Sequence, residues 1–202
     1  MGGSTSVAGS SGGALSATGG ALGADGGTSS ATGSCGEVEL LTNGNFDGAT
    51  HAPWIVQSAQ AQPLFLGWAD PALAEAGVSP YSLDNLVMLG LADSEVALLS
   101  QTVSVPASAI SLKVSGFMRI VTNEDTSTVF DRAYAEFVGQ PALLAWTNQN
   151  ANTDWTAFAG SLSAVALQGQ SATFRFRVTT DAGAPTSFYF DSVSVVASLC
   201  AN

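Results

Sequence analysis

The run from Ile110 to Val121 limits most narrowly what this chain can fold into. Ile110, Leu112, Val114, Gly116, Met118 and Ile120 alternate with Ser111, Lys113, Ser115, Phe117, Arg119 and Val121. That is the period-two pattern of a strand with one face in a core. Phe174, Phe176 and Val178 alternate with Arg175 and Arg177 in the same way, and Leu99, Val103 and Val105 share one face of a segment ending at Pro106. Further strands are expected over Glu37–Thr42, Trp54–Gln57, Leu86–Gly90, Arg132–Val138, Leu143–Thr147 and Phe188–Val196. In the last of these Phe188 and Phe190 lie on one parity and Val193 and Val195 on the other, which requires burial of both faces or a bulge near Asp191. Only Pro71–Ala76 reads as helix. Many short strands separated by turn residues, with no helical crossovers, predict an all-β antiparallel sandwich.

Composition bounds the partners. Of 202 residues, 46% are hydrophobic and 10% charged, which suits a packed core. The formal net charge is −11, from 16 acidic and 5 basic residues, so nucleic acid and anionic membrane surfaces are disfavoured partners. One histidine and two cysteines leave no material for a His/Cys metal cluster. No apolar run approaches the roughly 20 residues needed to span a bilayer.

Residues 1–34 differ from the rest. They hold 11 Gly, 8 Ser, 6 Ala and 4 Thr, with Asp25 the only ionisable side chain. Such a segment cannot offset an ordering cost of roughly 1–2 kcal/mol per residue. It is expected to be a disordered or extended stalk, or an arm that orders on a neighbouring subunit, ahead of a β-domain over 35–202. The arm contains Gly9-Ser10-Ser11-Gly12-Gly13, a formal G-x-S-x-G match without the strand and helix that pattern needs.

Cys35 and Cys200 each sit just outside a terminal strand segment. If those strands pair, the thiols meet and a disulfide implies an oxidising compartment; the alternative is two free thiols in a reducing one. The residues after Met1 show neither the basic nor the apolar region of a signal peptide.

Glu39-Leu40-Leu41-Thr42-Asn43-Gly44-Asn45-Phe46-Asp47, followed by Trp54, resembles the opening motif of bacterial carbohydrate-binding-module-like domains with the galactose-binding jelly-roll fold. Phe188-Tyr189-Phe190-Asp191-Ser192-Val193-Ser194-Val195 resembles their closing strand. Val87–Gly90, Leu99–Pro106, Phe117–Ile120 and Phe130-Asp131 follow in the order seen in domains appended to secreted bacterial peptidases. The resemblance spans nearly all of 37–197. It implies a galactose-binding-like jelly roll outside the cell, with a structural Ca²⁺ held by Asp47 and Asp191. Asp84, in the loop before a strand, is the candidate third carboxylate. Six to eight oxygen ligands suffice for such an ion. The plain reading of Asp47 is a turn residue and of Asp191 a bulge residue. Asn148–Asp154 reads as a polar loop, and Glu124, Asp125 and Asp131 as a solvated acidic edge.

Sugar recognition needs an exposed aromatic platform beside polar groups. Trp54, Trp155, Phe46, Phe174, Phe176, Phe188 and Phe190 are expected in the core. Phe117, Arg119, Trp68, Trp146 and Tyr81 are the candidate ligand-binding residues. His51 is a loop residue near no nucleophile motif, so no catalytic residues are assigned. The expected function is a non-catalytic binding module for a glycan, cell-surface polymer or companion protein. The alternative is a structural subunit of an extracellular homo-assembly built through the arm.

Overall fold

A computed structural model of the protein describes residues 35–200. The glycine-rich arm, its G-x-S-x-G match and the last two residues lie outside the described residues. In chain order the elements are β1 (Cys35–Glu39), β2 (Ile55–Ser58), β3 (Phe65–Gly67), α1 (Pro71–Ala76), β4 (Asn85–Gly90), β5 (Val96–Ser104), β6 (Ala109–Thr122), β7 (Arg132–Phe137), β8 (Leu144–Thr147), β9 (Thr156–Ser163), β10 (Ser171–Thr179) and β11 (Thr186–Cys200). A first sheet has the order β3-β4-β11-β6-β9, with β1 also on β11, and a second has the order β2-β5-β10-β7-β8. All pairings are antiparallel.

The inward residues of both sheets form one core, in which Phe174, Phe176, Phe188 and Phe190 are fully buried. Each such ring contributes about 2–3 kcal/mol relative to exposure. A smaller apolar cluster lies on the outer face of the first sheet, where Leu66, Leu86, Met88 and Tyr189 pack against Leu73 of α1 and Val78. The short helix exists because Asp70 caps it by accepting from the Ala72 amide, Pro71 opens it, and Gly77 closes it in the left-handed region at φ 62°.

The first and last strands lie side by side in a register that places Cys35 opposite Cys200, and the two form a disulfide. Two bulges correct the simple alternation. Between Asp191 and Ser194 the β11–β6 register shifts and Ser192 adopts φ 51°, which reverses parity so that Phe190 and Val195 both reach the core. Between Ser198 and Leu199 a second shift skips Ile110: Ala109 takes the buried position and Ile110 turns out, 48% exposed, contrary to its expected place in the core. The three-residue β3 and the Ala/Gly/Ser-rich β9 carry too little pattern to be read from sequence.

Candidate functional site

The outer face of the first sheet carries two of the aromatic side chains that the sequence reading left outside the core, Phe117 and Tyr81. Phe117 and Arg119 occupy outward positions of β6, as their parity requires. Above them runs the loop of residues 77–84, tied down by Asp191. The Asp191 Oδ2 accepts from the backbone amides of Tyr81 (2.8 Å) and Ser82 (2.9 Å), and its Oδ1 accepts from the Ser82 hydroxyl at 2.8 Å. This clamp lays the Tyr81 ring on Phe117, with centroids 3.6 Å apart and planes 18° from parallel. Trp155 meets Tyr81 edge-on at 6.2 Å and donates from its indole nitrogen to the Ser79 carbonyl at 2.9 Å. Tyr81 remains 47% exposed, so the ring surface not covered by Phe117 faces solvent.

Arg119 lines a cavity of about 320 Å³ beside Ala76, Asn152 and Thr153. Its Nε is buried without a hydrogen-bond partner. The structure therefore brings Tyr81, Phe117 and Arg119 onto one face and adds Trp155, which packs half-buried against the outer apolar cluster rather than in the core between the sheets. Trp68 is 69% exposed on the turn after β3 and stacks on no ring among the described residues. Trp146 is corrected outright: it lies between the sheets at 8% exposure, edge-on to Phe158 and tilted against Phe190, so it cannot present a platform.

The expected calcium ligands attach to the same loop at different points. Asp47 Oδ1 accepts from the backbone amides of Asp84 (3.1 Å) and Asn85 (2.8 Å), while its Oδ2 is buried and unpartnered. Asp84 contributes only its amide to this contact, and its side chain is exposed. Asp191 is fully buried, and burial pushes its carboxyl above the ordinary range against the opposing hydrogen bonds from Ser82, Ser192 and Tyr81. Four donors, the Tyr81 and Ser82 amides on Oδ2 and the Ser82 and Ser192 hydroxyls on Oδ1, fill the lone pairs of Asp191 that a cation would need. Asp191 does not fit a calcium site as it stands; its geometry is that of a loop anchor.

A different set converges. Among the described residues, Glu124, Asp131 and Asp181 are the three carboxylates whose oxygens lie within 4.8 Å of one another, and they could hold a metal ion. Asp131 is fully buried, not part of a solvated edge, and each of its oxygens accepts one amide, from Asp181 at 2.9 Å and Thr186 at 2.8 Å. The Glu124 Oε1 is buried with no partner. Burial, then the charges of Asp181, Asp131, Asp93 and Asp125, push the Glu124 carboxyl above its ordinary value. Gly183 closes over the group: a Cβ there would stand 2.9 Å from Glu124 Oε1 and 3.0 Å from Asp181 Oδ1. An orphaned oxygen among three converging carboxylates suits a hard cation. Sequence alone missed this set because its members are up to 57 positions apart.

No protein-family model matches the chain, and no curated protein matches it in sequence. Solved structures match in fold. The carbohydrate-binding module TmCBM61, described in complex with β-1,4-galactotriose, is 14% identical with TM-score 0.52, covering 78% of this chain and 97% of its own. A Stig cyclase, Fisc from Fischerella sp. TAU, is likewise 14% identical with TM-score 0.53, covering 83% of this chain and 100% of its own. The sandwich is thus shared with a carbohydrate-binding module and with an enzyme, and one fold hosts different functions.

Proposed function

We propose that this chain is a non-catalytic, extracellular carbohydrate-binding module. The observation that carries the reading is the Tyr81 ring, stacked on Phe117, braced by Trp155 and open to solvent. A pyranose has one apolar face, and a rigid exposed ring buries it at little entropic cost. Arg119 lies two positions along the same strand face and lines the neighbouring cavity, which sets a cationic side chain near the ring. The fold likeness to a module solved with a galactotriose supports this reading over the companion-protein one. The disulfide supports an oxidising, exported location.

In the same reading Glu124, Asp131 and Asp181 hold a structural Ca²⁺ that would relieve repulsion among three converging carboxylates, of which Asp131 is buried. The ion would take no part in sugar chemistry.

Affinity electrophoresis through soluble neutral polysaccharides, β-1,4-galactan first, tests the sugar site. Wild type is retarded, and Tyr81→Ala loses about tenfold in affinity, the equivalent of one lost stacking contact. Unaltered mobility across a broad neutral panel, or a folded Tyr81→Ala protein that binds like wild type, removes the reading.

A further inference from the structure

Cations are scarce in this chain, and their placement is uneven. Of five basic side chains, three (Arg132, Arg175 and Arg177) fall at outward positions of the adjacent strands β7 and β10. The register sets Arg175 opposite Glu136, Arg177 opposite Tyr134 and Arg132 opposite Thr179. Glu136 Oε1 receives the Arg175 Nε at 2.7 Å and Nη2 at 2.6 Å, and the Arg177 Nε at 3.2 Å. The Arg177 guanidinium also lies over the Tyr134 ring, 4.4 Å from its centroid. Glu136 is thereby almost wholly covered, whereas the two arginine side chains keep 29% and 32% of their surface exposed. Both Nη nitrogens of Arg177 donate to no side chain or backbone atom of the described residues.

Among the described residues Glu136 is the only acidic side chain at an outward strand position of the second sheet; Arg175 and Arg177 meet it and Arg132 lies on the same face, on a molecule whose net charge is −11. The flanking outward positions do not wall them in: Ser100 and Leu98 stand opposite Arg175 and Arg177 on β5, and Ala145 and Thr147 opposite Tyr134 and Arg132 on β8. Guanidiniums pre-oriented by a buried acid, with free planar nitrogens beside the hydroxyls of Ser100 and Thr147, match a carboxylate geometrically.

We propose that the outer face of the second sheet is a separate binding surface for a polysaccharide bearing uronic-acid carboxylates, engaged by Arg175, Arg177 and Arg132. It rests on the reading of the chain as a carbohydrate-binding module, but not on the Tyr81 site. The net charge opposes loose association with polyanions generally, so binding is confined to this face and weakens steeply with salt.

Electrophoresis through polygalacturonate at low ionic strength tests it. Wild type is retarded, added salt abolishes the effect, and Arg175→Ala with Arg177→Ala loses about tenfold or more. Arg132→Ala, at an exposed position, loses severalfold and leaves β-1,4-galactan binding unchanged. Should the double variant fail to fold by circular dichroism, Arg132→Ala and Arg177→Lys, which keeps charge but not the planar fork, decide the matter. An unretarded wild type overturns the proposal, as do folded arginine variants that bind like wild type, or equal retention by poly-glutamate. Loss of galactan binding alone bears only on the Tyr81 site.

Discussion

Asp191 and Ser82, separated by 109 positions, are joined by two hydrogen bonds, one from the Ser82 amide and one from its hydroxyl. A third from the Tyr81 amide makes this one carboxylate the support of the aromatic platform. Asp191→Asn turns an amide donor toward donors and should cost about 1–3 kcal/mol. Urea midpoints check the stability, and galactan affinity should fall together with it as Tyr81 loses its seat. A variant that binds galactan with full affinity would separate the clamp from the platform.

Gly44 lies against the β11 bulge, its carbonyl accepting from the Val193 amide at 2.8 Å. A Cβ at Gly44 would fall inside the van der Waals shell of the Val193 carbonyl oxygen. Gly44→Ala should destabilise by about 3 kcal/mol or more, because backbone must move. Thermal melting measures it, and a neutral substitution would mean that the opening turn is free to shift.

The disulfide spans 165 positions. Thiol titration of unfolded, unreduced protein should find neither cysteine reactive. Reduction should remove at most about 5 kcal/mol and lower the Tm by about 10–20 °C. A melt indifferent to reductant would show that the β1–β11 pairing holds the termini without it.

Two arginines set the acid response. Burial acts to raise the Glu136 carboxyl, but hydrogen bonds and charge from Arg177 and Arg175 outweigh it and hold the group below its ordinary value of 4.5. Its stabilisation is therefore present above the unfolded value and lost as pH falls through the lower folded one. Because both arginines are partly exposed, the amount is about 1 kcal/mol or less. The stability gap between wild type and Glu136→Gln should narrow from about pH 6 to about pH 3 in urea titrations; a gap that widens toward acid contradicts the ion-pair account.

Calcium should raise the Tm and EGTA reverse it, since a ligand held only by the native state stabilises by mass action, about 2.7 kcal/mol at a hundredfold excess over Kd. Glu124→Gln should abolish that shift and Asp47→Asn leave it intact. The reverse pattern would move the ion to the opening turn, and no shift in wild type would remove it.

Alternation of apolar and polar residues determined most of the strands, their inward faces and the two-sheet class, because side-chain direction in a strand is a local property. The cysteines at either end anticipated the pairing of first and last strands. The parity change between Phe190 and Val193 already marked one bulge near Asp191; what the tertiary structure alone decided begins at the other, where Ile110 leaves the core through a shift that no local pattern marks. Trp146 and Trp155 exchanged roles for a related reason. A tryptophan has no intrinsic address, and only the order of strands gave Trp146 neighbours on every side while leaving Trp155 beneath a loop. The Tyr81–Phe117 stack, the Glu124, Asp131 and Asp181 group and the fork of Glu136 between two arginines all join residues far apart in the chain. Their meeting depends on register across the sheets, which global packing sets.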